Sequence, residues 1–489
     1  MVVEREAVVA EREAMLAERD VVIAELRSRI AELEAQLGQD SGNSSAPPSR
    51  DKTDRRARRA EQAAQRKARR AAGGKPRSPG KQPGSPGSTL ERRAPTATRV
   101  HVPQACRCCG GGLADAPVTS TATRQVLEIP EPRLEVTDHV AERRRCACGA
   151  ETTAVFPAEA VGAVCWGPRA RAAASYLMAR QHLPLERCAE AMEVLFDAPM
   201  GEGTLAGVLP DAASRLARFM ARLADLLGKA PVVHADETST RVGVRADWVH
   251  TISTEWLTYL AHHRKRGLEA IEAIGVLNNY TGTIVHDGLA TYDKLGGATH
   301  AQCCAHILRY LDKTAKTGSQ WAWATSMRGV LLDAKCASER AAAAGRPAVD
   351  AEIVEGIRHR YRHSLLAAFA NLPPGRPPPR KHRGGWSTEQ REAWNLATRM
   401  RACEDQVLRL LVDTRVRFDN NEAERSLRMA KLHDKISGHF RSETNAKAFM
   451  TVRSYLQTGA KHGHNALDLL TMLWTTGAWL PTAVSPAID

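Results

Sequence analysis

Along the first forty residues, apolar positions recur at spacings of seven, three and four. Leu16, Ile23, Leu26, Ile30, Leu33 and Leu37 form the stripe, with Glu and Arg filling most of the rest. This is a heptad seam, interrupted at Arg19 and about three heptads long. A coiled coil is predicted over 1–40, its stripe covered by a second copy of the chain. A single amphipathic helix packed on its own protein is the alternative. Beyond Gln39 the apolar positions give way to Ser, Pro and Arg, then to Gly-Lys-Pro-Arg-Ser-Pro-Gly-Lys-Gln-Pro-Gly-Ser-Pro-Gly. Such composition cannot pack a core, so 41–100 reads as a basic, disordered linker. Strand-like alternation follows in a small domain over 101–160. Residues 161–230 are predicted helical; within them Leu185–Phe196, a glycine-containing turn at Met200–Gly203 and Thr204–Leu227 resemble a helix-turn-helix arrangement. A plain helical connector has the same pattern.

Strand character returns at Pro231–Val244, Trp248–Ser253 and Glu255–His262, followed by a helix at Gly267–Leu277 and a strand at Gly282–His286. The order β-β-β-α-β gives an α/β core whose first part spans 231–312. A mostly helical segment covers 313–416, broken by the basic proline loop Pro373–Gly385. Helices return over 417–480 and a short tail, 481–489, closes the chain. There is no internal repeat.

A length of 489 residues suggests two to four domains, and 43% hydrophobic with 25% charged residues is the balance of a soluble globular protein. No apolar run approaches the roughly 18 residues needed to span a bilayer. The charged N-terminus lacks the apolar core of a secretory signal. The expected location is therefore the cytoplasm, with no membrane partner. There the eleven cysteines read as thiols or metal ligands rather than disulfides. The formal charge is +14, and thirteen Lys/Arg against three Asp/Glu fall between Arg50 and Gln82. So dense a positive tether binds polyphosphate by counterion release without reading sequence. A solubilising linker is the bland alternative.

Phosphoryl transfer on DNA needs an activated oxygen nucleophile and a stabilised leaving oxygen. Two Mg²⁺ ions about 4 Å apart supply both, and hard cations take carboxylate oxygen. Asp236, in Val-Val-His-Ala-Asp-Glu-Thr, falls mid-strand, where an unpaired buried charge is costly. Strand alternation sends Asp236 and Glu237 to opposite faces, so only one is expected to serve a site. Asp287 ends Gly-Thr-Ile-Val-His-Asp-Gly, a strand stopping at a carboxylate before Gly. The third acid lies in Asp-Asn-Asn-Glu-Ala-Glu-Arg-Ser-Leu-Arg, 419–428, which reads as a helix start. Asp419 as N-cap and Glu422 three residues on match a capping box, leaving Glu424 as the ligand candidate. Arg425 and Arg428 beside it suit phosphate. Alone, each acid reads as an exposed carboxylate or a cap; the joint pattern carries the argument.

Cys106 and Cys109 are spaced as half of a zinc site, and Cys146 and Cys148, more tightly spaced, as the other half, with Cys108 an alternative ligand. Four thiolates suit structural Zn²⁺. Cys165, Cys188, Cys336 and Cys403 have no partner by spacing and are expected in the core.

With these motifs in order, the chain resembles the transposases of the insertion sequence 66 family. The matching segments are His-Ala-Asp-Glu-Thr (234–238), Asp-Gly-Leu-Ala-Thr-Tyr (287–292), Cys-Cys-Ala-His (303–306) and Asp-Asn-Asn-Glu-Ala-Glu-Arg (419–425). Lys-Ile-Ser-Gly-His-Phe-Arg-Ser (435–442) and Arg-Ser-Tyr-Leu-Gln-Thr (453–458) follow. The resemblance covers nearly the whole chain. It implies a ribonuclease-H-like catalytic domain with an Asp-Asp-Glu triad, here Asp236, Asp287 and Glu424, and a helical insertion between the second and third acids. It implies that Cys303 and His306 form a C-x-x-H signature, with His306 near the active site and touching DNA; without the family His306 reads as a helix-packing residue. Arg309, Arg425, Arg428 and Arg441 are the expected DNA contacts. Two departures stand out: Gly-Ser-Pro-Gly replaces a stretch that usually holds a His, and Leu308 stands where an Arg often follows the C-x-x-H motif.

The expected protein is thus a transposase that binds terminal inverted repeats, hydrolyses the phosphodiester at the element end with two Mg²⁺ (or Mn²⁺) ions, and joins the freed 3′-hydroxyl to target DNA. It is expected to carry structural Zn²⁺, to self-associate through the coiled coil and to work with small accessory proteins. The rival readings are a non-catalytic zinc-containing DNA-binding regulator, or an inactive derivative, and a nuclease that cleaves without joining.

Overall fold

The computed structural model describes residues 90–316, 320–378 and 385–482. The predicted coiled coil, most of the basic linker, part of the Pro373–Gly385 loop and most of the tail lie outside the described residues. The chain divides into two compact units, Met1–Glu128 and Ile129–Asp489. In the first, the described residues are irregular. Arg93 N–H donates to Gln125 Oε1 at 2.9 Å and Gln125 Nε2 returns to Arg93 O at 2.6 Å. A tight turn carries Cys106, whose N–H donates to Gly111 O and whose carbonyl accepts from Gly110 N–H.

The second unit opens with a short antiparallel hairpin, β1 (Arg143–Arg145) and β2 (Glu151–Thr153). The strand-like alternation expected between the two cysteine pairs is not realised: 117–142 carry no strand. Those apolar side chains, Val118, Val126, Ile129, Val136 and Val140 among them, are exposed and find no sheet to join.

Four helices follow: α1 (Pro168–Ala179), α2 (Leu185–Phe196), α3 (Glu202–Arg215) and α4 (Ala217–Lys229). The helix expected over Thr204–Leu227 is broken at the fully buried Leu216. The bend after α2 is made at Asp197, in the left-handed region at φ 53°, while Gly201 caps α3 with an ordinary φ of −65°. The turn thus rests on an aspartate, which tolerates that region, rather than on its glycines.

The sheet contains β3 (Val232–Val242), β4 (Arg245–Ser253), β5 (Thr258–His263), β6 (Thr283–His286) and β7 (Thr299–Gln302). Its order is β5-β4-β3-β6-β7, antiparallel through β3, β4 and β5 and parallel from β3 to β6 and β7. A short helix, α5 (Leu268–Ile274), makes the crossover into β6, and a 3-10 turn at Tyr292–Lys294 precedes β7. Then come α6 (Cys304–Thr314), α7 (Trp321–Ala343), α8 (Ala351–Ala370), α9 (Thr388–Ala402), α10 (Glu404–Val407) and α11 (Arg409–Val412). The chain returns to the sheet with α12 (Asn421–Ile436), α13 (Glu443–Lys461) and α14 (Ala466–Thr475).

Strand alternation divides the apolar residues between cores. Val233, Ala235, Ile252 and Ile284 pack with α1–α4 and α14. Val242, Val249 and Leu260, from the opposite face, pack with Leu427 and Ala430 of α12 and Phe449 of α13. Val285 and Ala301 enter a third cluster built by α6–α11. Among the described residues no helix is long and apolar enough to cross a membrane.

The start of β6 is sterically tight. Tyr280 Oη donates to Ala230 O at 2.7 Å, and Thr283 N–H donates to Pro231 O at 2.9 Å. A Cβ on Gly282 would lie 2.8 Å from Pro231 O. Gly282→Ala should therefore destabilise by about 1–3 kcal/mol, because the clash is with backbone that cannot rotate away. Urea unfolding checks this; an unchanged midpoint would remove the close approach from the argument.

Candidate active site

The parallel register pairs His234 of β3 with Val285 of β6. Two residues further along each strand direction, Asp236 and Asp287 fall on the same face, just beyond the last paired residues. Oxygens of Asp236, Asp287 and Glu237 all lie within 4.8 Å of one another. Asp287 is turned by Gly288 at φ +89°, and its Oδ1 accepts the Leu289 N–H at 2.9 Å. A Cβ on Gly288 would sit 3.2 Å from Gln302 Oε1 and 3.3 Å from Arg399 Nη1, so backbone conformation and close approach both favour glycine.

The expectation that Glu237 points away from Asp236 is corrected by this geometry. β3 pairs with β6 only as far as His234, so the strand edge beyond it is open. The Glu237 N–H turns back to Asp236 Oδ1 at 2.9 Å, and its longer side chain reaches the same cluster. Both Glu237 oxygens are engaged: Oε1 accepts Nε and Nη2 of Arg266 at 2.9 and 2.8 Å, and Oε2 accepts the Tyr292 hydroxyl at 2.9 Å.

Asp236 has no such compensation. Burial, then the negative charge of Glu237, with Asp287 and Glu424 adding, raises its pKa from 3.8 to about 7. A buried carboxylate raised further by other carboxylates beside it is an arrangement that favours cation binding.

Glu424 sits one turn into α12. It groups with Cys303 and His306, their donor atoms within 4.8 Å, rather than with the aspartates. Arg309 Nη2 donates to Glu424 Oε1 at 3.1 Å, and His306 Nδ1 lies 3.6 Å from the same oxygen. The start of α6 is pinned on both sides, by Cys303 N–H to His286 O at 2.7 Å and Cys304 N–H to Phe418 O at 3.0 Å. The helix therefore presents His306 and Arg309, three residues apart, toward α12. Burial holds the His306 pKa below its usual value and pushes the Cys303 thiol up to about 11.

The capping box expected at 419–422 is not formed. The N-cap is Asn420, with no side-chain cap, and Asp419 Oδ1 accepts the Asn421 N–H at 3.1 Å. Asn420 is fully buried and commits its amide to β3: Oδ1 accepts from His234 Nδ1 at 2.9 Å and Nδ2 donates to Ala235 O at 2.9 Å. Glu422 instead lies beside Arg425 at 3.0 Å, Lys461 at 3.4 Å and Arg417 at 3.9 Å. Arg425 is thus spent partly on Glu422, whereas Arg428 and Arg441 are exposed.

A second cluster, His286, Asp293 and His300, also brings its donor atoms within 4.8 Å. Its hydrogen bonds argue against a metal. His286 Nδ1 accepts the Gly288 N–H at 3.2 Å, which leaves the ring proton on Nε2. His300 Nε2 faces Leu295 O at 3.3 Å and must donate, which leaves its lone pair on Nδ1. His286 Nε2 and His300 Nδ1 are buried without a hydrogen-bond partner, and the first carries a proton rather than a lone pair.

Within each cysteine pair the thiols are adjacent. The backbone N–H groups of Cys109 and Cys108 and the Cys109 thiol hold the Cys106 pKa below its usual value; Cys148 does the same for Cys146. Backbone amides aimed at sulfur favour thiolate, the form that binds zinc. Of the cysteines expected in the core, only Cys188 is buried; Cys165 and Cys336 are exposed and Cys403 is half-buried. Lack of a spacing partner carries no information about burial.

Asn420, Tyr292, Arg266 and Arg399 were not legible as site residues. Asn420 and Tyr292 stand inside motifs already picked out for their acids, which is the one signal available; Arg266 and Arg399 have none.

Residues 163–448 match the family model described as Transposase IS66 family, and 103–149 match the zinc-finger binding domain of transposase IS66. Residues 4–84 match a family of unknown function, DUF6444. No curated protein matches the chain.

In the metal-free protein, a proton on Asp236 contributes stability that is present below about pH 4 and lost as pH rises through about 7. The difference in urea midpoint between Asp236→Asn and native protein in EDTA should therefore grow in the variant's favour from pH 4 to pH 7. A divalent cation should then narrow it at neutral pH. Parallel pH curves for the two proteins would remove the charge conflict.

Proposed function

The chain belongs to the IS66 family of transposases, and on that premise we propose an Asp-Asp-Glu enzyme in which Asp236, Asp287 and Glu424 hold two Mg²⁺ ions (or Mn²⁺) for cleavage and joining of DNA. The observation that carries this reading is the meeting of Asp236 and Asp287 on one sheet face, their oxygens within 4.8 Å of one another and of Glu237. All-oxygen donors from rigid elements suit a hard divalent ion. The sheet order, antiparallel in β3–β5 and parallel into β6 and β7, supports a ribonuclease-H-like core. Segments 231–312 and 417–480 are then its two parts and 313–416 its helical insertion. The helices over 161–230, with α2 and α3 about the Asp197 bend, are proposed to contact DNA.

Bound metal would supply an activated water or 3′-hydroxyl and stabilise the leaving oxygen. The protein's own residues do the positioning. Asp236 and Asp287 are fixed by the strand register, and Glu424 by the Asn420 anchor at the head of α12. Arg309 holds the Glu424 carboxylate, and its guanidinium would suit phosphate if that carboxylate were given to a metal. His306, kept neutral by burial, can hydrogen-bond a strand without adding charge. Arg425, Arg428 and Arg441 are proposed to hold backbone phosphates, the terminal inverted repeats and target DNA being the partners.

The test is Mg²⁺-dependent cleavage and strand joining on labelled ends of the element that encodes the chain, with its accessory proteins present. Asp236→Asn, Asp287→Asn and Glu424→Gln should bind these ends as the native protein does. Each should lose both reactions by more than about a hundredfold, beyond what outer-shell partners contribute. Native-like rates in any variant would remove that residue from the triad. Binding without chemistry in the native protein would favour a regulator.

Cys106, Cys109, Cys146 and Cys148 are the proposed zinc ligands. Cys106→Ser or Cys146→Ser should lose bound zinc by elemental analysis, while Cys108→Ser retains it. Zinc loss from Cys108→Ser would reassign the first pair.

A further inference from the structure

Glu237 presents a puzzle of its own. It is a buried carboxylate placed beside two others; burial first, and then Asp287, raise the cost of its charge, while Arg266 and Tyr292 offset it. An apolar residue there would serve packing at lower cost. Its partners show what it does. Arg266 grips Oε1 through a two-pronged contact, and the Arg266 guanidinium is itself steadied 4.9 Å above the Trp248 ring on β4. That contact pairs the Glu237 charge and holds the side chain in place, while its remaining charge still acts on Asp236. The other oxygen, Oε2, takes the Tyr292 hydroxyl at 2.9 Å. Tyr292 is buried and opens the 3-10 turn that closes the segment carrying Asp287.

We propose that Glu237 is a positioning residue that, through Tyr292, fixes the Asp287-bearing turn against β3 so that Asp236 and Asp287 converge on a divalent cation. This rests on the reading of those two aspartates as metal ligands. Glu237 touches both sides of the pair. Its backbone N–H holds Asp236 Oδ1 at 2.9 Å, and its side chain holds the turn five residues after Asp287. A hydrogen bond to an ionised acceptor is short and directional, which an apolar contact is not. From its far side the same turn is met by the insertion, where Gln406 Nε2 donates to Asp293 Oδ1 at 3.3 Å. The turn is thus held from two directions, and the Glu237–Tyr292 bond is the one that sets its height above β3.

Mn²⁺ binding to the full chain without DNA tests this, read from the electron paramagnetic resonance of free Mn²⁺, alongside thermal melting. Asp287→Asn defines the Mn²⁺ that belongs to this site. Tyr292→Phe, which removes one hydroxyl, should melt cooperatively yet bind that Mn²⁺ about tenfold more weakly, the effect expected of an outer-shell partner. Glu237→Gln, which keeps an acceptor but weakens the Arg266 grip, should fall between it and the native protein. Native Mn²⁺ affinity in Tyr292→Phe, with Asp287→Asn impaired, would overturn the positioning role and leave the metal site standing. Native affinity in Asp287→Asn would overturn the reading of the site itself. If Glu237→Gln fails to fold, Tyr292→Phe alone decides.

Discussion

The site depends on one buried side-chain amide. Asn420, at the head of α12, accepts a hydrogen bond from the His234 ring and donates one to the Ala235 carbonyl, two adjacent residues of β3. Asp236 is the next residue along the strand, and Glu424 lies one turn along the helix. Two acids separated by almost two hundred residues of chain are therefore referenced to one rigid joint. The joint is internally consistent: Asn420 Oδ1 can only accept, so His234 must carry its proton on Nδ1, and burial keeps the ring neutral. Any substitution that spoils either half leaves a buried polar group without a partner, at about 1–3 kcal/mol.

Around that joint the positive charge is distributed unevenly. Glu237 is matched by Arg266, Glu424 by Arg309 and Glu422 by Lys461 and Arg425, while Asp236 has a backbone N–H and negative neighbours. The imbalance has a direction. Glu237, Glu424 and Glu422 are paired with cationic side chains, whereas Asp236 and Asp287 accept backbone N–H groups. Carboxylates gathered in this way lower the stability of the fold, the usual conflict between a stable fold and a functional cluster.

The strands that carry the aspartates were legible because their apolar alternation is strong and their boundaries are marked by Gly and Pro. β7 was not: Thr-His-Ala-Gln is four residues long, with polar side chains and no periodicity to count. It becomes a strand because β6 offers it a parallel edge, a tertiary effect that no local window contains. The capping-box error has the same origin. Asp419 and Glu422 have the right spacing, but the helix begins one residue later because Asn420 is claimed by β3. Long-range hydrogen bonds outrank local propensity at both places, and both places border the site. The opposite error occurred at 117–142, where alternating residues met no partner strand and stayed irregular. Glu237 was misplaced for a subtler reason: alternation fixes where a Cβ points, not where a long side chain at an open strand edge ends.

The helical insertion takes part in this arrangement rather than merely interrupting it. Its core runs continuously from Met327 and Leu331 of α7 to Val285 and Ala301 of the sheet. Its far end returns polar groups to the Asp287 turn, with Arg399 stacked 5.1 Å over the Tyr310 ring and its Nη1 close against Gly288. A glycine at 288 is thus favoured by its own backbone angle, and a side chain there would have to displace Arg399 from a helix a hundred residues downstream. The sheet brings the aspartates to one face, but the turn that orients the second is finished only when the insertion has folded against it. The Asp287 turn and the helices α9 and α10 therefore share the same few side chains, and changes within α9 and α10 should be felt at Asp287 without touching it.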